Sequence, residues 1–274
     1  MRFLDCTAVD EYLERPAARI AYRRSGPTDA ERTLVVAHSL ATSRAWEDEA
    51  GVFDWSAVAA SGERLVRMDS RVHGGSTGEP DAEHYRWPAL AEDLIAVADA
   101  VSPDRPVDAL GESTGCGVLL HAALLAPHRF RRLLLVAPPT MRETRAQQAE
   151  LYVAAARMIE LRGTEAWERL ITAATPPPLL ERGGWHRPAW VPVQEDLVPS
   201  VLRGAAASTV PDDAALATLR QRTLVLTWAE DLNHPVSTAE HLAAHLPDTA
   251  LEVATTPEGI RGWGARAAAF LAEG

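Results

Sequence analysis

The 274 residues exceed a typical single domain of roughly 100–200 residues, a length that α/β enzymes reach as one core carrying an insertion, and 47% of them are hydrophobic, as in an ordinary globular protein. A formal charge of −11 repels a phosphate backbone and argues against a nucleic-acid partner, while the absence of lysine among the 27 basic residues excludes Schiff-base, pyridoxal-phosphate and P-loop chemistry, which all need that amine. No apolar run approaches the roughly 18–20 residues that span a bilayer, and "MRFLDCTAVDEY" carries acids where a signal peptide needs an apolar stretch, so a cytoplasmic protein without membrane contact is expected.

In chain order, short apolar runs alternate with longer helical patterns. The runs "RIAYRR" (19–24), "TLVVAH" (33–38) and "RLVRMD" (64–69) read as strands. "WPALAEDLIAVADAV" (87–101) reads as an amphipathic helix, with Leu90, Leu94, Val97 and Val101 on one face. "VDALGE" (107–112) and "RLLLVA" (132–137) follow, and after a long gap come "TLVLTW" (223–228) and "ALEVAT" (250–255). Strand, helix, strand order predicts a mainly parallel sheet covered on both faces. The gap is too long for a crossover, and its helix-forming sequence is punctuated by "TPPPLL" (175–180) and "RGGWHRPAWVP" (182–192). It predicts a helical lid over 139–218, inserted into a core of 1–138 and 219–274.

"VDALGESTGCGVLL" (107–120) places Gly111-Glu112-Ser113-Thr114-Gly115 between a strand and a helix. G-x-S-x-G arises by chance, but a strand-to-helix turn this tight needs small residues on both sides and holds the serine hydroxyl exposed at a helix N-terminus. The plainer alternative makes Ser113 a helix N-cap in a glycine-rich turn. Cys6 and Cys116 lack CxxC or Cys/His spacing, so two reduced thiols are expected, with neither disulfide nor zinc. Cys116 reads as a packing residue, and the sequence calls for no cofactor.

Four separated segments resemble the α/β-hydrolase family, in that family's order and spacing. "LVVAHSLATSRAW" (34–46) is similar to its strand and oxyanion loop, with Ser39 in place of a glycine and Leu40 at the backbone-donor position. "RMDSRVHGGSTG" (67–78) resembles its Asp-x-Arg-Gly-His-Gly-x-Ser turn, with Val72 in place of a glycine. The elbow follows, and "LVLTWAEDLNHPV" (224–236) resembles the strand and acid loop, Asp231 matching the acid and Trp228 standing where a glycine is common. The resemblance implies an eight-stranded, mostly parallel sheet with the lid between strands 6 and 7. It also implies Ser113 as nucleophile, Asp231 as its orienting acid, and the amides of Leu40 and Thr114 as oxyanion donors.

The base is the exception. In the family a histidine follows the last strand, where this chain reads "TTPEG" (255–259), and no histidine occurs after His245. Glu258 lies near that position, but an isolated carboxylate is a poor substitute for imidazole. His38 and His73 match structural histidines of the two family turns. His121 and His128 lie on or after the helix that follows the elbow, and His241 and His245 share a helix face that is usually solvated and only rarely a metal pair. His84 and His186 sit in flanking segments. His234, three residues beyond Asp231, remains as base or substrate contact, against the reading of a loop histidine preceding a proline.

The leading expectation is a serine-type hydrolase or acyltransferase acting on a small ester, lactone or thioester, with a triad of Ser113, Asp231 and His234. The alternatives are a non-hydrolytic enzyme on the same fold, such as a cyclase or lyase, and a ligand-binding pseudo-enzyme. Trp185 and Trp190 of the lid, with Trp167 or Met158, are expected to offer apolar surface to the substrate.

Overall fold

The seven apolar runs occupy one sheet whose central strands are buried on both faces. The computed structural model describes residues 9–173 and 175–273, with Leu170 by its backbone alone; Cys6 and the start of the acidic N-terminal segment lie outside the described residues. Among those described, eight strands form the sheet: β1 (Glu11–Arg15), β2 (Ala18–Ser25), β3 (Thr33–Ala37), β4 (Arg64–Met68), β5 (Val107–Glu112), β6 (Phe130–Val136), β7 (Arg222–Trp228) and β8 (Thr249–Ala254). Their spatial order is β1-β2-β4-β3-β5-β6-β7-β8. β2 pairs antiparallel with β1 and β4, and every other pairing is parallel.

β1 is the one strand without a counterpart among the apolar runs. "EYLER" is an edge strand, half-buried and exposed positions alternating along it, and charge along an edge blocks further pairing. β3 and β5, by contrast, are buried at every position, as strands covered on two faces must be.

The helices are α1 (Arg44–Ala50), α2 (Ser56–Ala60), α3 (Trp87–Val101), α4 (Thr114–Leu125), α5 (Arg142–Arg162), α6 (Thr164–Thr172), α7 (Pro178–Arg182), α8 (Val198–Ala206), α9 (Asp213–Leu216), α10 (Val236–His245), α11 (Pro257–Arg261) and α12 (Trp263–Ala272). Successive residues of a strand point to opposite faces. Leu133 and Leu135 of β6 therefore pack with Leu94 of α3, Leu119 of α4 and Leu242 of α10. Leu134 and Val136 pack on the other side with Val58 of α2 and Trp263 and Phe270 of α12. None of the described helices is long and apolar enough to cross a membrane.

Helices α5 to α9 interrupt the alternation between β6 and β7 and carry a small core of their own, in which Ile159, Trp167, Val198 and Leu202 pack around Val72 and Tyr85. Backbone bonds tie this insertion down: Gly74 N–H donates to the Pro192 carbonyl at 2.8 Å and Gln194 N–H to that of Val72 at 3.0 Å. The tie explains Val72. It stands in the left-handed region at φ 60, where the family turn has glycine and a β-branched residue is strained, yet it is 2% exposed inside the insertion's core. The rest of that turn is held by charge. Asp69 accepts from Arg44 Nη2 at 2.8 Å, and Arg71 grips Asp93 of α3 with Nε at 2.6 Å and Nη2 at 2.9 Å.

Candidate active site

Between the end of β5 and the start of α4 stands one residue, Ser113, at φ 50 and ψ −111. A non-glycine residue holds such a conformation only where its surroundings impose it. Here backbone lies on backbone. A Cβ on Gly111 would fall 2.2 Å from the Gly115 carbonyl oxygen, and one on Gly115 would fall 2.2 Å from that of Ala37. Ser113 N–H donates to the Val136 carbonyl at 2.9 Å, and its side chain caps nothing in α4, so the hydroxyl is presented rather than consumed. Cys116, fully buried, points its sulfur at the Gly111 carbonyl 3.0 Å away, and burial pushes its thiol far above the usual range, which disfavours the reactive thiolate.

The acid loop leaves β7 at Trp228. Asp231 is 8% exposed, and its Oδ1 accepts from Asn233 N–H at 2.8 Å. That two-residue turn, of the kind an aspartate side chain closes on its own backbone, reverses the chain. His234 is thereby brought back onto the carboxylate that precedes it, Nδ1 lying 2.7 Å from Asp231 Oδ2. Its other nitrogen, Nε2, lies 2.8 Å from Ser113 Oγ. A proton on Nδ1 bound to the carboxylate leaves a lone pair on Nε2 aimed at the hydroxyl, the tautomer a general base needs. Burial raises the Asp231 carboxyl, but the hydrogen bond and charge of His234, then Asn233 N–H and the Trp228 indole, outweigh it and hold the group below the usual carboxylate range.

Trp228 is the residue whose part was missed. Its indole N–H donates to Asp231 Oδ2 at 2.9 Å, the oxygen that also meets His234. Its ring stacks on Trp263 at 5.6 Å and meets the His234 ring edge-on at 5.6 Å. A tryptophan where the family has a small residue was the available signal. Glu112 was also passed over. Fully buried one residue before Ser113, it accepts from Trp55 Nε1 at 2.8 Å through Oε1, while Oε2 meets no donor.

The loop after β3, the expected oxyanion loop, abuts the elbow. Ser39 Oγ donates to the Glu112 carbonyl at 3.3 Å, and Gly115 sits against the Ala37 and His38 carbonyls. His38 accepts Ser70 N–H on Nε2 at 2.9 Å and turns Nδ1 to the Ser39 carbonyl at 2.7 Å. His73 accepts Ala41 N–H on Nε2 at 3.3 Å and donates from Nδ1 to the Arg71 carbonyl at 2.8 Å. Burial drops the His73 pKa to about 3, so it stays neutral as a clasp between loops.

The other candidates lie elsewhere. Glu258 points to solvent and pairs with Arg261 at 3.2 Å. His121 bonds the Thr209 carbonyl at 2.9 Å, and His241 bonds Asp213 at 2.7 Å. His128 and His186 are exposed, and His84 is half-buried in the turn before α3. Trp167 is buried in the insertion's own core, with Met158 packed beside it. Trp185 donates to the Gly51 carbonyl at 2.9 Å, and Trp190, 40% exposed, donates to Glu49 at 2.8 Å, so both stitch the insertion to the α1 side of the core. A cavity of about 520 Å³ between α5 and α8, lined by Ala149, Val153 and Ala207, includes none of Ser113, Asp231 and His234.

Residues 32–256 match the model of the alpha/beta hydrolase fold family. The chain belongs to the α/β-hydrolase family. Among solved structures, this α/β-hydrolase is similar to a hydrolase from Pseudomonas aeruginosa PA01, with a TM-score of 0.74 and 24% identity over 96% of this chain and 98% of that one. It is similar to the enol-lactonase from Burkholderia xenovorans LB400, with a TM-score of 0.77 and 17% identity over 96% of this chain and 100% of that one. An esterase from Exiguobacterium antarcticum gives a TM-score of 0.70 at 15% identity, over 93% and 96%. At these identities the likeness is one of fold.

Proposed function

We propose that this α/β-hydrolase is a serine hydrolase or acyltransferase acting on a small ester, lactone or thioester. The observation that carries the reading is the chain of contacts from Ser113 Oγ to His234 Nε2 at 2.8 Å and from His234 Nδ1 to Asp231 Oδ2 at 2.7 Å. In it His234 accepts the Ser113 proton as Oγ attacks the substrate carbonyl, and Asp231 stabilises the imidazolium that forms. The amides of Leu40 and Thr114 receive the oxyanion; the abutment of the two loops supports this assignment, as does the position of Thr114 at the first residue of α4, whose N-terminus the Ser113 side chain does not cap. His234 then protonates the leaving oxygen or sulfur, and water or another acceptor repeats the sequence on the acyl-enzyme.

The insertion's core reaches Leu40 and Ala41, with Tyr152, Ala155 and Met158 packed around it. That apolar surface beside the oxyanion loop suits a short acyl chain, and Trp185 and Trp190 are assigned to the outer wall. The likeness to an esterase and an enol-lactonase favours the same substrate class. The non-hydrolytic and ligand-binding alternatives drew on the want of a histidine after the last strand, and His234 weakens that ground.

A fluorophosphonate probe tests the reading. One label per chain, mapped by mass spectrometry to Ser113 and absent from Ser113→Ala, is expected. Labelling elsewhere, or none in a folded wild-type protein, overturns it.

A further inference from the structure

The fold brings together three metal-ligating side chains that the sequence separates. Asp213 stands at the start of α9, and His241 and His245 are one turn apart on α10. His241 Nε2 lies 2.7 Å from Asp213 Oδ1 and His245 Nε2 3.6 Å from Oδ2, the two imidazole rings stack with centroids 3.9 Å apart, and all three ligating atoms fall within 4.8 Å of one another. A tetrahedral ion bound at roughly 2.0–2.2 Å spaces its donors about 3.4 Å apart, so the cluster needs adjustments of about an ångström from half-exposed side chains.

With both imidazoles neutral, the hydrogen bonding around the cluster is not fully satisfied. His245 Nδ1 lies 2.8 Å from the His241 carbonyl, which requires the proton on Nδ1 and, in the neutral ring, turns the Nε2 lone pair toward an Asp213 oxygen, itself an acceptor. His241 Nε2 faces an acceptor, Asp213 Oδ1 at 2.7 Å, and a donor, Arg142 Nη2 at 3.1 Å. One nitrogen cannot serve both. Arg142 also holds Asp213 Oδ2 at 2.7 Å, so a guanidinium now supplies positive charge to this point, from a side chain 59% exposed and free to turn outward. A metal ion in its place meets every lone pair that faces inward, and the Nδ1–H bond of His245 is the outer contact that commonly orients a ligating imidazole.

We propose that Asp213, His241 and His245 bind a divalent transition-metal ion of the zinc class, with Arg142 swinging out to admit it. Imidazole and carboxylate donors suit zinc, and three protein ligands leave the fourth position to water. The ion clips α9, where the insertion rejoins the core, to α10, which begins just beyond His234. The proposal is independent of the hydrolase reading.

Calorimetric titration of tag-free, chelator-treated protein with zinc tests it, together with thermal unfolding. The expected result is one ion per chain with a dissociation constant of about micromolar or tighter. His241→Ala and His245→Ala should each weaken binding at least about tenfold, and Arg142→Ala should bind as tightly as wild type or more so. Zinc at about 100 times the wild-type dissociation constant should raise the unfolding midpoint of wild type by a few degrees and that of each histidine variant by about half as much or less. Equal zinc binding by wild type and the histidine variants, weaker binding by Arg142→Ala, or loss of binding only on His234→Ala overturns the proposal.

Discussion

His234 Nε2 stands 2.8 Å from Ser113 Oγ although the two residues lie 121 positions apart and follow different strands. Because Asp231 and His234 share one short loop, the two side chains are fixed to each other by the turn that Asn233 N–H closes, and the position at which the family usually has its histidine is left to a solvent-facing Glu258.

Replacing His234 by alanine should lower kcat on an activated ester by roughly 10²–10⁴, the effect of a lost general base, with the unfolding midpoint close to wild type. Ser113→Ala should lose at least as much, and Glu258→Ala should match wild type. Steady-state kinetics beside a thermal melt decide it. Full activity in His234→Ala would move the base to another residue.

Trp228→Phe keeps an aromatic ring between Trp263 and His234 and deletes the indole donor to Asp231. A hydrogen bond to a charged group contributes about 1.5–3 kcal/mol, so stability at neutral pH should fall by about that much, and kcat should fall as the imidazole loses its anchor. The sign with pH follows from the depressed Asp231 carboxyl. Its contribution to stability is present above the usual value of 3.8 and is lost as pH falls through the lower folded value. The variant, with Asp231 nearer the usual value, should lose less stability on acidification. Urea melts from pH 7 to pH 3 measure both effects.

Gly115→Ala should destabilise the protein by about 1–3 kcal/mol or more, because the added methyl would lie 2.2 Å from the Ala37 carbonyl oxygen, which is backbone and cannot turn away. Activity should fall further than stability, since relieving the clash shifts the elbow against the oxyanion loop. Denaturant midpoints and kcat/KM on the same preparation separate the two.

Glu112 is raised well above the usual 4.5, first by complete burial and then by the charge and side chain of Glu47, so the folded state favours its neutral form. A raised carboxyl contributes stability that is full below about 4.5 and is lost as pH climbs toward the folded value, the native state there binding the extra proton. In that window wild-type stability should decline by up to about 1.4 kcal/mol per pH unit on this account. Glu112→Gln carries the neutral form at every pH and should flatten the decline while keeping the Trp55 contact. A steeper decline in the variant than in wild type would refute the assignment.

Seven of the strands and helix α3 were legible because their signal is local: apolar period and apolar run length survive in the chain itself. The elbow was legible for the same reason, since two glycines around Ser113 state a steric requirement that the 2.2 Å approaches of Gly111 and Gly115 then display. β1 was not, because a charged edge strand has no apolar run to show. The sequence also narrowed nine histidines to His234 as the one near the acid. Whether its ring could face Asp231 and Ser113 together was decided only by the tertiary structure, where an aspartate-closed turn doubles the loop back and the order β5-β6-β7 sets its distance from the elbow. Glu112 beside Glu47 and Asp213 against His241 are likewise contacts between segments whose sequences carry no mark of one another. Local pattern specifies which residues form an element and which face they bury; the packing of one element on another selects which side chains meet.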